Sequence, residues 1–252
     1  MILKDKVIII TGAGKGIGEV TAKECANEGA RVVVSAHHLE DGKRVVREIK
    51  GNGGEAIAVE ADVSDPCSME NMCRETMDKY GRIDGLVNNA AIYGGIGAMG
   101  PFNNITMEVW DREFAVNVRG TFLCCKAVFP YMRGQGKGKI VNIASGVWKS
   151  GIPLFLHYAS TKGAIVSLTR ALSREMGMHG INVNCVCPGL TMTKASLDLA
   201  PPQVRKKVVE GVALKRLEEA DDLPGTIIFL LSDESDFITG QNLVVDGGVC
   251  LH

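Results

Sequence analysis

Two short stretches of the chain carry residue types that could do chemistry. Tyr158 and Lys162 stand four apart in LHYASTKGAIVSLTRALSREMG, whose later part repeats apolar residues at helical spacing. On a helix that spacing puts both side chains on one face, one turn apart. An ammonium beside a phenol favours the phenolate and lowers the tyrosine pKa from its usual value of about 10, which makes it a usable acid/base near neutral pH. An aromatic and a lysine on an ordinary solvated helix face would read the same way. The second stretch is TGAGKGIG, Thr11 to Gly18, where dense glycines and a lysine suggest phosphate. It is not the triphosphate loop GxxxxGK[ST], because Lys15 is followed by Gly16 and Ile9 stands where the first glycine should be. The spacing Gly12-x-x-x-Gly16-x-Gly18 also departs from GxGxxG. Its place is nonetheless that of a dinucleotide turn, after the apolar run KVIIITG and at the opening of a helix, where backbone N–H groups and the positive helix end face a pyrophosphate. A glycine-rich turn built for packing is the other reading at this point.

The elements that must position these residues are visible as alternating patterns. The runs KVIIITG, ARVVVSA, EAIAVEADV, IDGLVNNAA, GKIVNIAS, INVNCVCPG and NLVVDGG are rich in Val and Ile. Most lack polar alternation, as strands covered on both faces should. Between them lie amphipathic helix candidates such as EVTAKECANEG, with a glycine stop, and DPCSMENMCRETMDKYG, with Asp65 as N-cap and Pro66 opening the helix. About seven strands alternating with about six helices predict an α/β fold, a doubly wound, Rossmann-like parallel sheet with helices on both faces. No repeat, linker or low-complexity segment divides the chain, so residues 1–252 read as a single domain. Two segments break the pattern: AIYGGIGAMGPFNNI after the fourth strand and PGLTMTKASLDLAPPQVRKK after the sixth. Both leave carboxyl ends of strands, where open α/β sheets bind ligands, and read as lids or substrate walls, with a surface insertion as the alternative.

Composition narrows the classes further. There are 28 basic and 29 acidic residues, a net charge of −1 with no block of like charges, which gives nucleic acid or an anionic membrane nothing to grip. No apolar run approaches the roughly 20 residues of a membrane span. The opening MILKDKVIII is a strand pattern rather than a secretory signal, so the expected location is the cytoplasm. The eight cysteines are scattered, Cys185 and Cys187 on one strand face and Cys124 and Cys125 in a helix, without the spacing of a zinc site. They read as small buried hydrophobes in a reducing compartment, and no metal is expected.

Taken in order, TGAGKGIG, Asn88-Asn89-Ala90, Ser145, Tyr158-Ala159-Ser160-Thr161-Lys162 and Pro188-Gly189 make the chain resemble the single-domain branch of the short-chain dehydrogenase/reductase family. The resemblance runs from about Lys4 to Gly248 and covers the length of roughly 250 residues usual in that branch. It implies hydride transfer between a nicotinamide dinucleotide and an alcohol or ketone. Tyr158 would move the proton, Lys162 would lower its pKa and grip the nicotinamide ribose, and Ser145 would orient the substrate oxygen. Asn117, in FAVNVRGTF, would help hold a water linking Lys162 to solvent. For the cofactor the resemblance implies the turn residues Gly12, Gly16, Ile17 and Gly18, an adenine contact at Asp62 and Val63, and a backbone position at Asn89. It further implies Pro188 and Gly189 at the end of strand six, and Thr191 beside the nicotinamide carboxamide. Ala36 occupies the place where NAD-preferring relatives carry an acid for the ribose 2′-hydroxyl. His37 and Lys15 stand where NADP-dependent relatives carry basic residues, while Glu40 and Asp41 are expected to lie too far on. The set favours NADP(H), with NAD(H) as the alternative.

The substrate walls are expected from Tyr93 to Met99, from Val147 to Phe155 and from Leu190 onward. Tyr93, Trp148, Leu154, Phe155, Met192 and Leu197 make them largely apolar, with Lys149 and Lys194 as cations. An uncharged or weakly polar alcohol or ketone fits such walls, although core or subunit contact is the commoner fate of apolar side chains. The resemblance also implies a homotetramer, with a dimer second, and the tail NLVVDGGVCLH resembles the part that packs between subunits. A non-catalytic dinucleotide-binding regulator on the same fold would be expected to lose part of Asn117, Ser145, Tyr158 and Lys162. All four are present, which favours an enzyme. A nucleotide-sugar epimerase would need a longer chain.

Overall fold

The computed structural model describes residues 1–92 and 99–250. The Val- and Ile-rich runs form β1 (Val7–Thr11), β2 (Arg31–Ala36), β3 (Glu55–Glu60), β4 (Gly85–Asn88), β5 (Gly138–Ile143) and β6 (Ile181–Pro188). Two two-residue strands follow, β7 (Thr191–Met192) and β8 (Glu218–Glu219), and then β9 (Asn242–Val245). Seven of the strands make one parallel sheet in the order β3-β2-β1-β4-β5-β6-β9, while β7 and β8 pair with each other. Successive side chains point to opposite faces, so Ile8 and Ile10 enter one apolar layer and Val7 and Ile9 the other. The edge strand β3 differs from the fully buried interior strands: Ala56 and Val59 are buried while Glu55 and Glu60 face solvent, because an edge is covered less completely.

Helices cover both faces. α1 (Gly16–Asn27), α2 (Leu39–Gly51) and, last in the chain, α10 (Pro224–Leu231) supply one layer. α3 (Pro66–Tyr80), α5 (Gly120–Gln135) and α7 (Leu156–Gly177) supply the other. The N-terminus of α3 is closed by Asp65, whose carboxylate accepts from the Cys67 N–H at 3.0 Å, with Pro66 in the first turn. α4 (Met107–Glu113) runs into α5 through one π turn, Phe114–Arg119, a widening of the helix that the apolar pattern does not announce. α6 (Val147–Ser150) is a single turn.

The segment after β6 is more regular than its sequence suggests. It holds β7 and then α8 (Lys194–Leu199) and α9 (Pro202–Gly211). Thr193 and Ser196 form a capping box at the start of α8, and Pro202 opens α9, signals too short to show as periodicity.

A buried polar chain fixes how α7 lies on the sheet. Asn88 Nδ2 on β4 donates to Asn142 Oδ1 on β5 at 2.8 Å, Asn142 Nδ2 donates to Thr169 Oγ1 on α7 at 2.9 Å, and Thr169 donates to the Ile165 carbonyl at 2.8 Å. Asn142 and Thr169 are wholly buried, so each lost partner would leave a desolvated group unpaired. Asn142→Ala is expected to cost roughly 2–4 kcal/mol, through two orphaned partners and a small void. Urea unfolding measures it, and an unchanged midpoint would remove this chain from the account of how α7 is placed.

Candidate active site

The strand order reverses between β1 and β4, and ligand clefts of open α/β sheets open at such a point. A cavity of about 740 Å3 lies there, along the carboxyl ends of the strands. Its floor at one end is the turn after β1. Gly12 has φ +64°, and a Cβ on it would stand 2.8 Å from Ala90 Cα, so both its conformation and the closeness of the β4 end require glycine. Asn89 ties the two strand ends together: its N–H donates to Thr11 Oγ1 at 3.1 Å, and its Nδ2 donates to the Thr11 and Gly12 carbonyls at 3.0 and 3.2 Å. Lys15 stands at the N-cap of α1 without making a side-chain cap, which leaves the backbone donors of the first turn for a ligand. Gly12, Lys15, Gly16 and Ile17 line the cavity, whereas Gly18 packs behind it against Asn89 and Gly12.

His37, Asp62 and Val63 line the far end of the same cavity. The rings of His37 and His38 stack at 4.9 Å and 10°. Asp62 accepts from the Ser64 N–H and hydroxyl at 2.8 and 2.7 Å, bonds that hold its carboxyl below the usual range. One expectation is corrected here. Asp41 is not too far: α2 starts at Leu39, immediately after the two histidines, so Asp41 falls in its first turn and lines the cavity beside Gly14. Arg44 is the nearby cation that is not free for a ligand, being committed to Glu19, to Glu48 and to the Gly14 carbonyl at 2.9 Å.

The other end is built by β5, α7 and β6. Ser145, Tyr158 and Lys162 all line the cavity, as do Pro188, Gly189 and Thr191. Lys162 is 3 % exposed, its Nζ donates to the Ile143 carbonyl at 2.8 Å and lies 5.5 Å from the centre of the Tyr158 ring. Burial pulls its pKa down to about 8, against the opposing pull of Cys185, Cys187 and Glu113. Ser145 Oγ accepts from the Val147 N–H at 3.4 Å and donates to the Pro188 carbonyl at 3.5 Å, long bonds that hold it loosely at the cavity edge. Asn117 lies in the π turn, buried one layer behind. Its Oδ1 accepts from the Ile92 N–H at 2.7 Å, and its Nδ2 donates to the Ile92 carbonyl and to Thr161 Oγ1, both at 3.2 Å. It therefore joins the β4 end to α7 next to Tyr158.

The substrate walls divide. Phe155 lines the cavity, edge-on to Tyr158 at 5.6 Å. Trp148 does not join it: within the single turn of α6, Val147 and Ser150 face the cavity, and Trp148 turns to the opposite side, against Ile165, Val166, Cys185 and Cys187. Leu154 and Leu197 are largely exposed, and Met192 is engaged in the β7–β8 pair. Tyr93 lies outside the described residues. Walls that the sequence did not single out come from Ile152, Val204, Val208, Val249 and Cys250, with Arg112 as a further cation; of the two cations expected, Lys194 lines the cavity and Lys149 does not. The turn that brings Val249 and Cys250 in is set by Asp246, whose carboxylate accepts three backbone N–H groups, from Gly248, Val249 and Cys250, at 2.8–3.1 Å. The Asp-Gly-Gly sequence was the available signal for it.

Behind Tyr158 lies a buried pair, Glu113 Oε1 and His157 Nε2, 3.6 Å apart. Burial pushes the Glu113 carboxyl up to about 7, with Lys162 pulling it partly back. A carboxyl raised this way contributes stability that is complete below about 4.5 and lost as pH rises through about 7. Glu113→Gln is therefore expected to gain stability over the natural protein as pH rises from about 5 to about 8, by on the order of 1–3 kcal/mol at the upper end. Thermal unfolding of both proteins across that range checks it; a difference independent of pH would contradict the assignment.

Comparison with known proteins agrees with the fold. A family model described as enoyl-(acyl carrier protein) reductase matches residues 12–250. The chain is 38 % identical over 246 residues to the (2S)-[(R)-hydroxy(phenyl)methyl]succinyl-CoA dehydrogenase subunit BbsD of Thauera aromatica, covering 98 % of this chain and 97 % of that protein. It superposes on the 3-ketoacyl-(acyl-carrier-protein) reductase of Brucella melitensis complexed with NADH at TM-score 0.92 and 34 % identity, covering 99 % and 100 % of the two chains. It also superposes on a gluconate 5-dehydrogenase of Burkholderia cenocepacia in complex with NADP and tartrate, at TM-score 0.93 and 31 % identity over 98 % and 96 %.

Proposed function

Because this chain belongs to the short-chain dehydrogenase/reductase family and is an NAD(P)-dependent oxidoreductase of alcohols or ketones, we propose that Asn117, Ser145, Tyr158 and Lys162 carry its reaction. One observation supports the assignment above others. Ser145, Tyr158 and Lys162 share the wall of a single cavity with the glycine turn, so a dinucleotide laid across the strand ends brings its nicotinamide to Tyr158. When bound, the nicotinamide ring gives hydride to, or takes it from, the carbon that bears the substrate oxygen.

The chain supplies the rest. Ser145 donates to the substrate oxygen and orients it toward Tyr158. The Tyr158 hydroxyl delivers the proton to that oxygen in reduction, and the Tyr158 phenolate removes it in oxidation. Lys162, charged at neutral pH in its buried position, favours the phenolate and reaches the ribose. Asn117 holds α7 to the β4 end through Thr161 and Ile92. The apolar walls of Phe155, Ile152, Val204 and Val208 support an uncharged or weakly polar alcohol or ketone. The chain then reads as one dinucleotide-binding domain, 1–252, with substrate loops after β4, β5 and β6.

For the cofactor we infer NADP(H). Lys15 and His37 on the cavity wall support a 2′-phosphate, and Ala36 offers no acid to a ribose hydroxyl. Asp41 on the same wall opposes it and keeps NAD(H) as the second reading. The assembly we infer is a homotetramer, with a dimer second; exposed Phe122, Phe237 and Leu214 are side chains a subunit contact would cover. A cytoplasmic location goes with this reading. No helix among the described residues is long and apolar enough to cross a membrane.

Tyr158→Phe is expected to bind dinucleotide normally and to lose turnover by roughly 10^2–10^4. Substantial turnover in that variant would overturn the role given to Tyr158. The ratio of kcat/KM for NADPH over NADH is expected to exceed unity and to fall by on the order of tenfold or more in Ala36→Asp, which supplies the missing acid. A ratio that favours NADH in the natural protein would instead assign the leading role at that end to Asp41.

A further inference from the structure

A buried carboxylate sits directly behind the wall where Thr191 faces the cavity. The β7–β8 pair sets Thr191 opposite Glu218, and Thr191 Oγ1 donates to Glu218 Oε2 at 2.8 Å. Glu218 is 9 % exposed, and its other oxygen, Oε1, has no hydrogen-bond partner among the described residues. Among the described residues no cation forms an ion pair with it. The charged groups that act on it are Asp222, from the turn after β8, Asp246, from the turn after β9, and Arg216, whose opposite charge is itself tied to Asp222 by two bonds of 2.6 Å. From the end of β6 the Gly189 backbone faces it, and β7 presents Thr191. A buried carboxylate with an unpaired oxygen is costly, and a neutral side chain would pack there at less cost.

We propose that Glu218 is a positioning residue for the nicotinamide end of the cofactor: its carboxylate engages the Thr191 hydroxyl proton and leaves Thr191 Oγ1 facing the cavity as an acceptor only. The proposal rests on the reading of the cavity as a nicotinamide dinucleotide site with Thr191 at the carboxamide. A hydroxyl has one proton to donate and two lone pairs to offer. With the proton committed to Glu218, what remains recognises the N–H of a carboxamide and not its carbonyl, which sets the rotation of the amide and with it the orientation of the ring.

Protonation of Glu218 reverses the arrangement. The acid can then donate to Thr191 Oγ1, and the threonine hydroxyl turns outward as a donor, mismatched to the amide N–H. Burial raises the Glu218 carboxyl to about 7, with Asp222 and Asp246 adding to the rise, so this reversal falls between ordinary working conditions. Binding of a carboxamide dinucleotide is therefore stronger above that range and weaker below it.

Calorimetric titration of the full chain with NADP+ and with its 3-acetylpyridine analogue tests this, because the acetyl group has no N–H to offer Thr191. Effects of pH at the adenosine end of the ligand are common to both and cancel in their ratio. From about pH 8 to about pH 6, the affinity for NADP+ is expected to fall roughly three- to tenfold more than that for the analogue. In Glu218→Gln the two ligands are expected to change in parallel. Equal pH dependence for both ligands in the natural protein would overturn the proposal while leaving the dinucleotide site intact. Binding of neither ligand at either pH would overturn the site reading and the proposal together. The two-ligand comparison in the natural protein decides the matter even where Glu218→Gln fails to fold.

Discussion

A lysine ammonium buried to 3 % exposure, hydrogen-bonded to the Ile143 carbonyl at the end of β5, is the interaction on which the arrangement of this protein turns. A charge in that position is tolerated only where neighbouring groups compensate for the lost water. The helix that carries it must therefore lie on the sheet in one register. The wholly buried Asn142–Thr169 bond supplies that register from the sheet side, and the Asn117–Thr161 bond supplies it from the π turn. With α7 fixed at both places, the Tyr158 ring stands beside the ammonium and Phe155 packs on its edge. The geometry at the chemical end of the cavity is thus a result of polar contacts inside the fold.

The opposite end obeys a different constraint, that of close backbone approach. Gly12 and the Asn89 side chain draw the ends of β1 and β4 so near that no Cβ fits between them. The polar groups sit on the elements that follow: Lys15 at the start of α1, the stacked histidines after β2, and Asp41 in the first turn of α2. Arg44 is drawn away into its pairs with Glu19 and Glu48. Which dinucleotide is preferred is accordingly a balance of a few exposed polar side chains, with Lys15 and Asp41 of opposite sign.

The sheet was legible in the sequence because parallel strands buried on both faces must be apolar at nearly every position, and KVIIITG or ARVVVSA offer little else to be. Tyr158 and Lys162 were legible because a helix converts a spacing of four into adjacency. Several features were not. Trp148 sits in a four-residue turn, where no periodicity exists to tell which side it faces, and the structure turns it away from the cavity. Asp41 seemed remote along the chain, but a helix beginning right after His38 folds it back. The stretch after β6 looked irregular because α8 and α9 are short and are specified by a capping box and a proline. Glu218 reads as one more acid in LEEADDL, and only its pairing across β7 and β8 reveals that it is buried.

The Asp246 turn has a broader consequence. By gathering three backbone N–H groups it seats Val249 and Cys250 on the same wall region as residues of α9, far from both in the chain. On the proposed reaction, the surfaces that would meet the variable part of a substrate come from peripheral segments, while Tyr158 and Lys162 belong to a helix braced by the sheet. Substitutions in those segments would then change what is accepted without disturbing how the proton is handled. Such a separation of recognition from reaction lets a lineage explore new substrates at little risk to its chemistry.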